Sequence, residues 1–327
     1  MDRIRGKTSN RLLAALLLTL LVFAAVACQP VLKYQGKSAI PEEDMQYLLG
    51  MYDHEQMMSW IKDLTSETYQ GREAGTEHED LVGDYIIELL QSFGLEPWDD
   101  MGFDEYRQAF ALPQTQETAE NIIAVLPGKS SEYYLLIGAH YDHLGVRDGV
   151  FYPGADDNAV GTAAVLELAR IFSQSELTAD YSIVFVLFGA EERGLFGSAE
   201  LAQRLDGRKM GRKIVLLNLD VIAGTMGDTL VVYDSGFKGN KTWAEKAKAE
   251  AEASGVKSRI DNRLAGGVDS MKFTARSMPA ITLVWGDLQA EHPHLHQPTD
   301  TFENLNPEIV DAATKAAIRI AWAFANK

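Results

Sequence analysis

Cysteine is almost missing from this sequence: the 327 residues contain one, Cys28. A disulfide framework is therefore excluded, and the fold must be held by burial, which a chain of this length can supply. Positive charge is also scarce. Against 47 Asp and Glu stand 30 Lys and Arg, a formal charge of −17, which argues against nucleic-acid binding through phosphate contacts. Low-complexity tracts and internal repeats are lacking. No apolar run reaches the ~20 residues of a spanning helix. What remains is an ordinary globular composition, 46% hydrophobic and 24% charged.

The longest apolar run, LLAALLLTLLVFAAVA from Leu12 to Ala27, follows Arg3, Arg5, Lys7 and Arg11 and ends in small residues. That order reads as a secretory signal peptide over residues 1–27. Cys28 comes directly after Ala25-Val26-Ala27, which resembles a bacterial lipobox. The resemblance implies cleavage before Cys28, its lipidation, and export to the outer membrane or cell surface as a membrane-anchored lipoprotein. Residues 28–43 lack periodicity and read as the lipidated N-terminus and a tether. Residues 44–327 contain no dividing linker and read as one domain.

Within that domain, apolar residues recur at helical spacing over 45–65 and 79–93, with the turn GREAGT (71–76) between them. Short β-rich runs then alternate with helical ones: strands over 121–126, 133–138, 181–189, 213–219, 229–234 and 280–285, and helices over 159–173, 197–205, 242–254 and 307–325. Nearly continuous apolar strands alternating with helices imply a single α/β domain, with a central, largely parallel mixed sheet flanked by helices on both faces.

Several of these strands end in titratable residues. YYLLIGAH delivers His140 and then Asp142, YSIVFVLFGAEE delivers Glu191 and Glu192, KIVLLNLD delivers Asp220, and AITLVWGD leads to His292, His294 and His296. PGADDNAVG places Asp156 and Asp157 before a helix. Each is innocent alone, since an Asp before a helix is usually a cap and loop histidines are usually solvated. Together they fall at the carboxyl ends of strands, where open α/β sheets bind ligands. Mixed His and carboxylate donors without Cys suit zinc or a similar divalent ion.

The ordered blocks AHYDHLG, PGADDNAVG, FGAEERGLFGS, LNLDVIA and HQPTDT resemble peptidase family M28, the zinc-dependent aminopeptidases. The resemblance implies two Zn2+ ions held by His140, Asp156, Glu192, Asp220 and His296, with Asp156 as the bridging carboxylate. It implies Glu191 as general base and Asp142 as the residue orienting His140. The substrates it implies are peptides with a free N-terminus. Asp157 is expected to cap the next helix or support the turn, and His143, His292 and His294 to be solvated or to line the site. Asp269, in GGVDSMKF, departs from the family segment at Val268 and Ser270 and is expected behind the ligands. Leu295 stands where some relatives carry an oxyanion-stabilising Tyr. Ser198 has no base constellation of its own. The rival readings are a glutaminyl cyclase-like zinc enzyme on the same fold and a non-catalytic binding module.

Overall fold

The computed structural model describes residues 40–327 except 104, 114, 116 and 265. The signal peptide, Cys28 and most of the expected tether lie outside the described residues. In chain order the elements are α1 (Glu42–Gly50), α2 (His54–Leu64), α3 (Glu77–Ser92), β1 (Arg107–Ala111), β2 (Thr118–Leu126), β3 (Ser130–His140), β4 (Gly145–Arg147), β5 (Val150–Tyr152), α4 (Val160–Gln174), β6 (Tyr181–Phe188), α5 (Phe196–Gly207), β7 (Ile214–Leu219), β8 (Thr229–Tyr233), α6 (Lys241–Ala253), β9 (Lys257–Asp261), α7 (Ser270–Thr274), β10 (Ala280–Trp285) and α8 (Pro307–Ala325). The single helix expected over 45–65 is two, because Asp53 caps a new start by accepting from the Gln56 amide at 3.0 Å. No described helix is long and apolar enough to cross a membrane.

Eight strands form one sheet in the order β1-β2-β6-β3-β7-β10-β8-β9. The four central strands, β6, β3, β7 and β10, run parallel. β2 and β8 run antiparallel to that core, for a shared reason. The links from β2 to β3 and from β7 to β8 are too short for the dozen or more residues of a parallel crossover, so each reverses the chain. A later strand, β6 or β10, then inserts into the gap.

Alternation along the central strands divides their side chains between two layers. Leu136, Val184, Val186, Phe188 and Leu216 pack on one face with Leu201 and Leu205 of α5 and Phe273 of α7. The other face lies under α4 and α8. There Phe172 meets Trp322 at 5.4 Å between ring centroids, and Trp243 of α6 meets Phe324 at 4.8 Å. Each such side chain contributes about 1.5–3 kcal/mol on burial. A sheet covered on both faces leaves its strand ends as the open surface, and the carboxyl ends of β3, β6, β7 and β10 all emerge on one side.

Candidate metal centre

His140 is the last residue of β3 and is buried. Asp220 follows β7 directly, and Glu191 and Glu192 sit in the turn between β6 and α5. That turn is tied down by its own backbone, with the amides of Gly194 and Leu195 both donating to the Glu191 carbonyl at 2.8 Å. Asn121 of β2 braces it, accepting from the Gly189 amide and donating to the Gly197 carbonyl.

The bridging position is not occupied by Asp156. Its carboxylate faces the other way, accepting from the amides of Ala223 and Gly224 at 3.1 Å each and pairing with His292. The inward carboxylate is Asp157, at a cis Asp157–Asn158 peptide bond. Its Oδ1 lies 3.2 Å from His140 Nε2 and its Oδ2 lies 2.9 Å from His296 Nε2. His140 Nε2 is also 3.4 Å from Asp220 Oδ1. On the second side, Glu192 reaches His296 Nε2 at 3.5 Å and His143 Nδ1 at 2.9 Å. Asp157 therefore turns one oxygen toward each of two donor sets.

Long-range hydrogen bonds explain why Asp157 and not its neighbour points inward. Asp300, in the loop before α8, accepts the Asp156 amide at 2.9 Å and the Asp157 amide at 3.1 Å. Asn158 donates to the Leu219 carbonyl and accepts from Val221, bracketing Asp220, and also accepts from Gly161 at the start of α4. The cap expected of Asp157 thus falls to Asn158.

Asp142 also differs from expectation. Its carboxylate is 3.7 Å from His140 Nδ1, while its backbone carbonyl is nearer at 3.1 Å. The carboxylate instead accepts the amides of Glu191 and Glu192 at 3.0 and 3.2 Å. It positions the glutamate turn and orients the histidine mainly through the backbone.

The three loop histidines separate. His143 is buried beside Glu192, His292 is buried against Asp156 and the Trp285 carbonyl, and His294 bonds to Thr299 away from the pocket. Asp269 is fully buried, and burial pushes its carboxyl up to about 7 against the pull of His140. Ser198 is also buried, on the first turn of α5, with its hydroxyl on the Leu195 carbonyl.

Arg72, from the GREAGT turn, carries no mark of a functional residue in the sequence. Its fully buried guanidinium donates to the carbonyls of Tyr141 (2.7 Å), Leu64 (2.7 Å), Pro153 (2.8 Å) and Gly154 (2.9 Å). It joins the loop after His140 to the loop before Asp157. The only sequence signal was an arginine flanked by glycine in a turn, a common surface pattern.

The electrostatics favour a cation. For Glu191, burial raises the carboxyl well above its ordinary range despite the opposing pull of His140. Asp220 is raised for the same first reason. For Asp157, burial is outweighed by the bonds from His140 and His296, and the carboxyl is lowered well below its usual value. Bonds to Asp157 and Glu192 raise His296 to about 10. Glu192 Oε1 and both ring nitrogens of His143 are buried without a hydrogen-bond partner among the described residues. Crowded carboxylates and unpartnered nitrogen and oxygen donors fit a divalent ion. Among the described residues two compatible sets exist, His140/Asp157/Asp220 and His143/Asp157/Glu192.

The pocket over these donors has a volume of about 320 Å³, with Glu191 in its lining and Leu264, Val268, Val284, Leu288 and Leu295 among its apolar walls.

An apolar-walled pocket at the carboxyl ends of a parallel sheet, floored by His and carboxylate donors around one shared Asp, defines an α/β protein with a metal centre at its strand ends. The chain belongs to peptidase family M28, whose model matches residues 121–321. Aminopeptidase YwaD of Bacillus subtilis is 31% identical over 205 residues, covering 61% of this chain and 43% of that protein. The chain thus spans less than half the length of that relative. BSAP, a zinc aminopeptidase from Bacillus subtilis, superposes with a TM-score of 0.57 at 29% identity over 65% of this chain and 52% of its own. LapA aminopeptidase of Legionella pneumophila shares the fold at 20% identity with a TM-score of 0.73, over 91% of this chain and 79% of its own.

Proposed function

We propose that this protein is an exported zinc aminopeptidase that hydrolyses the N-terminal residue from peptides, using a two-ion centre. The observation that carries the reading is Asp157, whose two oxygens face two donor sets beside a half-buried glutamate that belongs to neither. His140 and Asp220 would hold one ion with Asp157, and Glu192 and His296 the other. Bound zinc would supply Lewis-acid polarisation of the scissile carbonyl and a more acidic water. Glu191 lines the same pocket, accepts a proton from the attacking water and returns it to the leaving amine. The free N-terminus of the substrate meets a strongly acidic floor, and its first side chain meets the apolar walls.

Paired substitutions test the roles. Glu191→Gln keeps size and removes the proton acceptor, so kcat should drop about 10²–10⁴-fold while both zinc ions stay bound. Glu192→Gln should instead lose one ion and regain activity in excess zinc. Metal loss from the first variant and retention by the second would reverse the assignments. Against a cyclase, both donor sets are complete. Release of ammonia from Gln-peptides without release of a residue would favour the cyclase.

Export and anchorage rest on the basic N-terminus, the apolar stretch and Cys28. Cys28→Ser should free the protein from membranes with unchanged activity. Unaltered fractionation of that variant would remove the lipid anchor from the proposal.

A further inference from the structure

We infer that His143 is a further protein ligand at this centre, joining Asp157, Glu192 and His296 around one of the two ions. The inference rests on the zinc reading above and extends it to a residue outside the set carried over from the family.

The first observation is burial without satisfaction. The His143 side chain is completely enclosed, yet neither ring nitrogen has a hydrogen-bond partner among the described residues. A buried polar group left unpaired is costly, and here two occur on one ring. Its Nδ1 lies 2.9 Å from Glu192 Oε1, but that oxygen is likewise unpartnered, so the two converge without the alignment of a hydrogen bond. A cation held by both would satisfy both atoms.

The second observation is the spacing of the donors. Nitrogen and oxygen ligands of a tetrahedral zinc lie about 2.0–2.1 Å from the ion, so they lie roughly 3.3 Å from one another by the geometry of the tetrahedron. His143 Nδ1 lies 2.9 Å from Glu192 Oε1 and 3.9 Å from Asp157 Oδ2, values either side of the tetrahedral one, and His143, Asp157 and Glu192 form one compatible donor set among the described residues. His296 approaches the same two carboxylates, at 2.9 Å from Asp157 Oδ2 and 3.5 Å from the other oxygen of Glu192, Oε2.

The third observation is that the fold holds the imidazole in place. A Cβ added at Gly154 would come within 2.4 Å of His143 Cγ, so only glycine lets the loop before Asp157 press on the ring. Gly154 has φ +60°, a conformation natural to glycine. The His143 amide donates to the Arg72 carbonyl at 3.3 Å, and the Arg72 guanidinium holds the carbonyl of Gly154. Ring, cradle and clamp form one unit.

The two ions then differ. The one shared with His140 and Asp220 has three protein ligands, and the one shared with Glu192 and His296 has four. The second should be the harder to remove.

The test uses the zinc-loaded protein, a competing chelator and X-ray absorption at the zinc edge. Wild-type protein should show three imidazoles distributed over two zinc ions. His143→Phe fills the Gly154 cradle with a ring that has no nitrogen. It should weaken one ion at least about 10–100-fold, the range by which even indirect partners affect metal affinity, while the other changes little, and the imidazole count should fall to two. Two imidazoles in the wild-type spectrum would overturn the assignment even if the variant binds zinc poorly or fails to fold. Unchanged affinity at both positions in a folded variant would overturn it as well. A wild-type protein that takes up no zinc would defeat the peptidase reading itself, whereas two zinc ions with two imidazoles would defeat this inference alone.

Discussion

Replacing Arg72 with Met should destabilise the protein and loosen its metal centre together. The guanidinium donates four hydrogen bonds, to the carbonyls of Leu64, Tyr141, Pro153 and Gly154, and among the described residues no carboxylate bonds to it directly. A hydrogen bond from a charged group contributes roughly 1.5–3 kcal/mol net, so four contribute about 6–12 kcal/mol. Against this stands the cost of burying a cation. Burial lowers the guanidinium to about 10 in spite of the pull of Asp300 and Asp142, and at about 1.36 kcal/mol per unit that penalty is roughly 3 kcal/mol. Methionine recovers the penalty and forfeits the bonds, leaving a net loss of about 3–9 kcal/mol. At about 2–4 °C per kcal/mol for a domain of this size, Tm should fall by at least ~6 °C. Arg72→Lys should not rescue it, because one ammonium cannot reach carbonyls arranged for a planar fork. Calorimetry on the zinc-loaded protein, with zinc retention measured in parallel, gives both readouts. A Tm within about 2 °C of wild type would refute the reasoning, since it would mean that the four carbonyls find other donors.

Asp157→Asn should weaken both ions, because Asp157 faces both donor sets, whereas Asp156→Asn should retain zinc and lose stability through its broken pair with His292. Metal stoichiometry on the two folded variants decides between them, and the opposite pattern would restore Asp156 as the shared ligand. Burial raises the Glu79 carboxyl to about 8 from an ordinary 4.5, so the folded state holds a proton that the unfolded chain releases. Stability should then decline as pH rises from about 4.5 through about 8, and Glu79→Gln should flatten that decline. Equal pH slopes for wild type and variant, measured by denaturant unfolding, would exclude Glu79 as the cause. Removing zinc with a chelator should lower Tm, since an ion bound to the folded state alone adds to its stability. An unchanged Tm in metal-free protein would contradict binding at the described donors.

The sequence by itself determined the fold class and the neighbourhood of the site. Apolar strands such as YYLLIG and KIVLLNL can be satisfied only inside a covered sheet, and parallel strands bring their polar ends, His140, Glu191, Glu192 and Asp220, to one side. These are properties of local pattern, and local pattern is legible. The antiparallel placement of β2 and β8 was not, because it depends on which later strand fills a gap left by a short reversal. Nor was the choice between Asp156 and Asp157. Two adjacent carboxylates in a bend are equivalent in composition, and the one that faces inward is selected by partners far along the chain, Asp300, His292 and the amides of Ala223 and Gly224. The same holds for His143 and Arg72. A histidine in a loop and an arginine in a turn look solvated until tertiary packing removes the water around them and obliges their donors and acceptors to find each other.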